Sequence, residues 1–575
     1  MKRLLALFFL IVAPLSATNR SVKGSCANNG DGTSSACAAS PGGAGAFNTI
    51  AACMTAMSAS GGDTCTVFAG TYNEAPTITA GAVSSYNVLT VNASDVVTIN
   101  GVTPGSHTKL IGNCPDPWVN GAQALGTCGF SIGTLSSVWG IPCVGASAVT
   151  DVYIVANTME YCGGNNNSWG TDANSQAIVF WNNASFIYIL QNTITHPCNP
   201  GLQWVCEGIS IWTNHAIIEH NDLANNDDSI EYAGDFNVVR HNAFHDITEA
   251  NCSASFHGSN CHPDIFESEP TQETQHQLFE SNHAYNLQPP CSGCIDMHIM
   301  LTQGDVCGAN TCQHDISRFN QFIAPDNTYN LGYFILNDLG SWAHNRWYNN
   351  SASHAGSTNA GNTAELHGSV GPDLTAKNEL WYDSGVGIGV NSTNYHDGSG
   401  TVVANNLINP GTNPFANGLT FPLNLASGSA AIGAGGALTT ASGSGSSSTA
   451  LTVVDPWYFQ DGWGFPSGTG VGQMSPDWIR IGASTTVQIA VGGINYATGV
   501  ITLANAVSWN NGDSVYISKI SDGTAVLLNA APDQGAIPFQ ASSVIPASAP
   551  WLFASDKVQC GVCCAAHVRV PGVTP

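Results

Sequence analysis

With 575 residues, 43% of them hydrophobic, the chain has the length and composition of a large folded protein rather than a disordered one. Its 39 acidic and 13 basic residues give a formal charge of −26, which argues against nucleic acid or an anionic membrane surface as partner. A polyanion is accepted only where a bound cation or a basic patch reverses the local sign.

At the N-terminus, Met1-Lys-Arg is followed by an apolar run from Leu4 to Pro14 and small residues at Ser16 and Ala17. This is the pattern of a secretory signal peptide over residues 1–17, so the expected location is extracellular. No later stretch approaches the roughly eighteen consecutive apolar residues of a membrane helix, and no membrane insertion is expected. Nineteen cysteines fit a secreted chain with disulfides, sixteen of them between Cys26 and Cys312. Cys26/Cys37, Cys53/Cys65, Cys198/Cys206, Cys252/Cys261 and Cys307/Cys312 are close enough in sequence to staple single loops. Cys291-Ser-Gly-Cys294 has no second CxxC at zinc-ribbon spacing, which favours a disulfide there too. Cys560, Cys563 and Cys564 are odd in number and have no assigned role.

Through the middle runs a degenerate repeat: a short hydrophobic strand, an asparagine, then an apolar residue two places on. It is centred on Asn157, Asn192, Asn221, Asn242, Asn282, Asn320 and Asn405, with a shortest spacing of 21 residues. Coils that short, built of β-branched strands without an amphipathic helix, cannot bury an inner face alone and must stack as a solenoid. The asparagines are expected to bond along the stack and to occupy left-handed corners themselves.

Residues 18–75 carry a glycine-rich start, the helix-like segment Phe47 to Met57, and Gly62-Asp63 followed by Val67, Gly70-Thr71-Tyr72. These resemble the opening of secreted pectate-lyase-like right-handed parallel β-helix proteins. That resemblance implies an all-β solenoid over 18–436, with an N-terminal helix covering its open end. Ser429 to Gly435 and Ala531 to Ala536 resemble two halves of that family's closing motif. Between them, residues 437–530 open with a Gly/Ser linker at Ser442 to Ser448 and continue as alternating strands, a small barrel-like β insert. Residues 531–575 hold the closing segment and the cysteine-containing tail.

Aligned on their asparagines, the following strands begin with acidic groups: Glu207, Asp228 and Glu231, Asp264 and Glu267, Asp296 and His298, and Glu365. Strands of neighbouring coils lie about 4.8 Å apart, so stacked carboxylates repel unless they hold a cation, share protons or serve a substrate. Phe256 to Glu267 adds His257 and His262 to Asp264 and Glu267, and resembles the His-x-Asp-x-x-(Gln/Glu) signature of several carbohydrate-active β-helix proteins. Two chemistries fit. In Ca²⁺-assisted β-elimination on a uronate polysaccharide, Asp228, Glu231, Asp264, Glu267 and Asp296 supply hard oxygen ligands. In two-carboxylate glycoside hydrolysis, Asp228 pairs with Asp264 or Glu267. The candidate catalytic residues are Asp264, Glu267, His262, His257 and Asp228, and the candidate substrate contacts are Trp212, Tyr232, Arg346 and His298.

Arg240 and Arg318 fall in register with Glu219 and Glu280, so an alternating charge ladder explains them more simply than a role as the lyase base. The remaining alternative is a non-catalytic, adhesin-like carbohydrate binder, whose working parts are aromatic residues such as Trp181, Trp212 and Trp347. The partner expected throughout is a polysaccharide, with the oligomeric state left open.

Overall fold

The computed structural model describes residues 17–133, 142–162, 176–196, 207–226, 228–247, 264–268, 274–286, 297–302, 312–323, 331–336, 342–353, 364–366, 375–383, 388–389 and 402–540. Of these, 297–302, 312–313, 331–336, 342–343, 364–366 and 388–389 are described through their backbone.

The strands stack in parallel, coil upon coil, which is a parallel β-helix. Three runs of strand make each coil. The first-sheet run, such as Asp264–Ser268, leads to a second-sheet run such as Thr274–Glu280, and that to a short third-sheet run such as His283–Tyr285. In the coils Gln176–Leu190, Glu207–Glu219 and Ile230–Arg240 the first two runs are one bent strand. Alternation sends Ile209, Ile211, Ile218 and Leu223 inward, and their equivalents in other coils join them in one continuous core.

Each corner is turned by a residue in the left-handed region, which few non-glycine residues adopt. Between the second and third sheets these are Ala156, Gln191, His220, His241, Ser281, Phe319, Asn349, Asn378 and Asn405, with φ from 53° to 59°. Between the first and second they are Phe186, His215, Phe236, His276, His314 and His344. After the third sheet they include Tyr161, His196, Asn225, Asp246 and Asn286. Of the seven asparagines singled out in the sequence only Asn405 turns a corner, and the other six do not, contrary to the sequence reading. The residue before each one does, which frees the asparagine side chain to point inward.

Inside, the asparagines form a continuous ladder. From Asn157 through Asn192, Asn221, Asn242, Asn282 and Asn320 to Asn350, each backbone N–H and each Nδ2 donates to Oδ1 of the next coil's asparagine at 2.9–3.2 Å. Glu379 takes the next rung, accepting from Asn350 Nδ2 at 3.0 Å, and its own N–H donates to Asn406 Oδ1 at 2.9 Å. Asn406 is thus the last ladder residue, and Asn405 is the corner residue before it. A second interior polar column, Asn237, Gln277, Asp315 and Asn345, follows the first-to-second corner, where Asp315 N–H donates to Asn345 Oδ1 at 2.9 Å.

The connection from second to third sheet is two residues long in every coil from Val155/Thr158 to Ala404/Leu407. Length varies only in the connections leading to and from the first sheet.

Near the N-terminus, Thr49 caps a seven-residue helix, Ile50–Ala56, that buries Ile50, Cys53 and Met54. Among the described residues four disulfides are present: Cys26–Cys37 and Cys53–Cys65 as the spacing suggested, and Cys114–Cys128 and Cys143–Cys162. The three other short-range pairs lie outside the described residues or side chains.

The insert is a six-stranded antiparallel sheet from Thr439–Thr440 to Ser514–Lys519. Its Ser-rich start is not a linker: Gly445–Thr452 pairs with Val500–Trp509 as a strand. The insert lies along the second sheet, where Tyr188, Ile217, Val238, Leu278 and Ile316 share a core with its Tyr458, Phe459, Met474 and Ile479. Beneath it, Glu219, Arg240, Glu280 and Arg318 stand in register. Arg318 is clasped by Asp477 at 2.7 and 2.8 Å and bonds Glu280 at 2.6 Å. Rings of the first corner, His215, Phe236, His276 and His314, pack against Phe465, Trp463 and Tyr496. Where the chain leaves and re-enters the solenoid, Gly435 N–H donates to Pro532 O at 2.8 Å and Gln534 N–H to Ala431 O at 2.9 Å.

Candidate functional site: a carboxylate cluster on the first sheet

The variable connections border the first sheet on both sides, and the acidic residues lie on its strands and at their starts. Strand pairing fixes two columns there. Gln176 pairs with Glu207, whose coil continues through Asp228 to Asp264 and then His298. Three residues further along, Ser210 pairs with Glu231 and Glu231 with Glu267. Ile209, Ile230 and Phe266 point into the core, so the adjacent Ser210, Glu231 and Glu267 column faces outward, while the column of Glu207, Asp228 and Asp264 is buried at the start of the strands.

Asp228, Asp264 and Glu267 bring one carboxylate oxygen each within 4.8 Å of one another. Asp228 Oδ1 also accepts the backbone N–H of Asp264 at 2.9 Å, which locks the two coils together at this point. The neighbouring acids are held by neutral donors: Gln176 Nε2 donates to Glu207 at 3.0 Å and Ser210 Oγ to Glu231 at 2.5 Å. Asp264 is fully buried and Asp228 is 7% exposed, so this is a sheltered cluster rather than a solvated acidic surface.

Three carboxylates this close and this sheltered need positive charge or shared protons between them. Their donor set suits a hard cation: oxygens no more than 4.8 Å apart leave a common centre within about 2.8 Å of each, near the oxygen distances of Ca²⁺. Below the cluster the Tyr232 hydroxyl is held well above its usual range, first by burial and then by the charges of Asp315 and Glu267.

The other residues singled out in the sequence fall in different places. Trp212 is on the outward face, half-buried, with its ring 6.4 Å from that of Trp181 in the preceding coil. Tyr232 is not a surface contact: it alternates with Glu231 and points into the core, fully buried. Arg346 is not in the groove either, because its position faces the insert, where Nε bonds Asp455 at 2.9 Å and the guanidinium lies over Tyr458. Trp347, alternating with it, is a core residue. His257, His262 and Asp296 lie outside the described residues. His298, not Asp296, stands opposite Asp264 in the next coil, and its side chain is outside what the structure describes. Gln176 and Ser210, the neutral partners of the flanking acids, went unnoticed in the sequence; the shared small-residue-then-Ile pattern of Gln176-Ala-Ile, Glu207-Gly-Ile and Asp228-Ser-Ile was the available signal.

No known family signature and no curated protein matches the sequence. Among solved structures, pectate lyase Pel9A is similar at 11% identity over 73% of this chain and 92% of that one, with a TM-score of 0.34. XylC in complex with xylose is similar at 10% identity, covering 87% of this chain and 100% of the other, with a TM-score of 0.40. The Streptococcus pneumoniae surface protein and adhesin PfbA is similar at 9% identity, 60% and 90% coverage, and a TM-score of 0.29.

Proposed function

We propose that this chain is an extracellular carbohydrate-active enzyme that cleaves a uronate-containing polysaccharide by β-elimination in the groove on the first sheet. The observation that carries the reading is the convergence of Asp228, Asp264 and Glu267 within 4.8 Å in a sheltered position. Asp228, Asp264 and Glu267 would hold a Ca²⁺ ion, which when bound neutralises a uronate carboxylate and so acidifies the proton on the adjacent carbon. Ser210 and Gln176 keep Glu231 and Glu207 fixed at the margin of the cluster. The four disulfides support folding in an oxidising compartment, in keeping with an exported protein.

The test is incubation with uronate-containing and neutral polysaccharides, with and without chelator. Unsaturated product absorbing in the ultraviolet, lost on chelation and in Asp264→Asn, is the expected result. New reducing ends without that absorbance, unaffected by chelator, would replace this reading with hydrolysis by two carboxylates. That second reading is favoured by one observation, a carboxylate separation close to the roughly 5 Å of retaining glycosidases.

A further inference from the structure

Next to the carboxylate cluster, the groove floor changes character. Trp181 and Trp212 lie on adjacent coils of the same outward face, both half-buried, their rings 6.4 Å apart and tilted by 57°. Trp212 is two residues from Ser210 in its own strand, and Ser210 pairs with Glu231 of the next coil. Ala233 stands opposite Trp212 on that coil, so no large side chain rises over the indole from the strand beside it. Two indoles in successive rungs make a platform directed along the solenoid axis, toward the carboxylates. Coil spacing of about 4.8 Å is close to the length of one pyranose unit, so each rung can meet one sugar.

Charge then decides which sugars. Between Lys109 and Lys377 the chain contains only three basic residues, Arg240, Arg318 and Arg346. All three are buried on the second sheet, bonded to Glu219, to Glu280 and Asp477, and to Asp455 respectively. Neither the first-sheet strands of this region nor the segments connecting to them contain a lysine or arginine. A homopolyuronate carries a charge on every unit. A unit over Trp212 would set its carboxylate near Glu231, in a protein of net charge −26, with no lysine or arginine on these strands to offset it. An indole instead suits a pyranose whose substituents are equatorial, because such a ring presents a face of C–H bonds to the aromatic surface.

We infer that the coils of Trp181 and Trp212 bind uncharged, equatorially substituted pyranose units, and that the substrate is a heteropolysaccharide in which neutral sugars flank an acidic one. This rests on the first sheet being the glycan groove, as proposed above, and adds the substrate class.

The experiment is calorimetric titration of the full chain with xylohexaose, cellohexaose and hexagalacturonate, each in Ca²⁺ and in chelator. At least one neutral hexasaccharide is expected to bind in both conditions, about tenfold more weakly to Trp181→Ala and Trp212→Ala, with the Phe variants restoring most of the affinity. Unchanged melting temperatures of the variants confirm that they fold. Hexagalacturonate binding more tightly than both neutral ligands overturns the inference, as does neutral binding indifferent to both tryptophans. If Asp264-dependent cleavage persists while the tryptophan dependence is missing, only the substrate class falls. If tryptophan-dependent binding is found and no polymer is cleaved, only the catalytic reading falls.

Discussion

Asp315 offers the sharpest test of how this solenoid is stabilised. It sits in the interior column between Gln277 and Asn345, fully buried. Burial pushes its carboxyl from 3.8 up to about 8, with the Gln277 amide pulling slightly the other way. The folded chain therefore keeps a proton that the unfolded chain has already released above about pH 4. Stability contributed by that proton is complete below pH 4 and is lost progressively as pH rises toward 8. A shift of this size corresponds to about 6 kcal/mol across the window, at 1.36 kcal/mol for each pH unit. Asp315→Asn keeps the shape and removes the titration. For a chain of this size the variant should melt about 4–6 °C above wild type at pH 8 and close to wild type at pH 4. Scanning calorimetry from pH 4 to 9 measures both profiles. Parallel curves for wild type and variant over that whole range would refute the argument that Asp315 is folded in its neutral form.

Glu379 should behave alike. Burial raises it to about 8 within the asparagine ladder, so Glu379→Gln is expected to raise the melting temperature above pH 7 and leave it unchanged near pH 4. Asn242→Ala removes the acceptor of two Asn221 donors and the donor to Ile218 and Arg240 carbonyls. It should cost about 2–4 kcal/mol in denaturant unfolding, and a loss under 1 kcal/mol would show that the ladder is not a stabilising network. Asp477→Ala leaves the buried Arg318 guanidinium with Glu280 alone as its carboxylate partner and should cost about 3 kcal/mol, with the insert cut by protease before the solenoid; simultaneous cleavage of both would deny that this ion pair docks it. Finally, Ca²⁺ titration should raise the melting temperature of wild type and not of Asp228→Asn, and an equal rise in both would remove Asp228 from the cation site.

Much of the architecture was legible because a solenoid repeats its physics. The strand-Asn-apolar signature exposed the ladder at six of the seven asparagines it marked, Asn405 standing one place off the ladder residue Asn406, and the Glu219, Arg240, Glu280, Arg318 alternation could be read by counting from it. Asn350 escaped because its strand, Arg346–Tyr348, is short and aromatic, and Glu379 because a glutamate breaks the pattern. Which residue turns left-handed was misjudged for a local reason: the ladder amide is needed inside, so the residue before it turns the chain, whether Ala, His, Gln, Ser, Phe or, at Asn349, Asn378 and Asn405, another asparagine. Asp228, Asp264 and Glu267 were recognisable as acids at strand starts. Tyr232 and Arg346 were not separable by type from surface residues, because inward or outward is set by a single step of register. The two-residue offset that sets His298 rather than Asp296 opposite Asp264 lies in a connection whose length no repeat constrains.

The two-residue link between second and third sheets, unchanged from one coil to the next, limits how such a protein can diversify. Any added or deleted stretch at that link would throw the amide stack out of phase and free the insert from its seat, so descendants of this chain can lengthen only at the rims of the groove. New ligand preferences would then arise by trading rim segments, coil by coil, on a spine that stays constant.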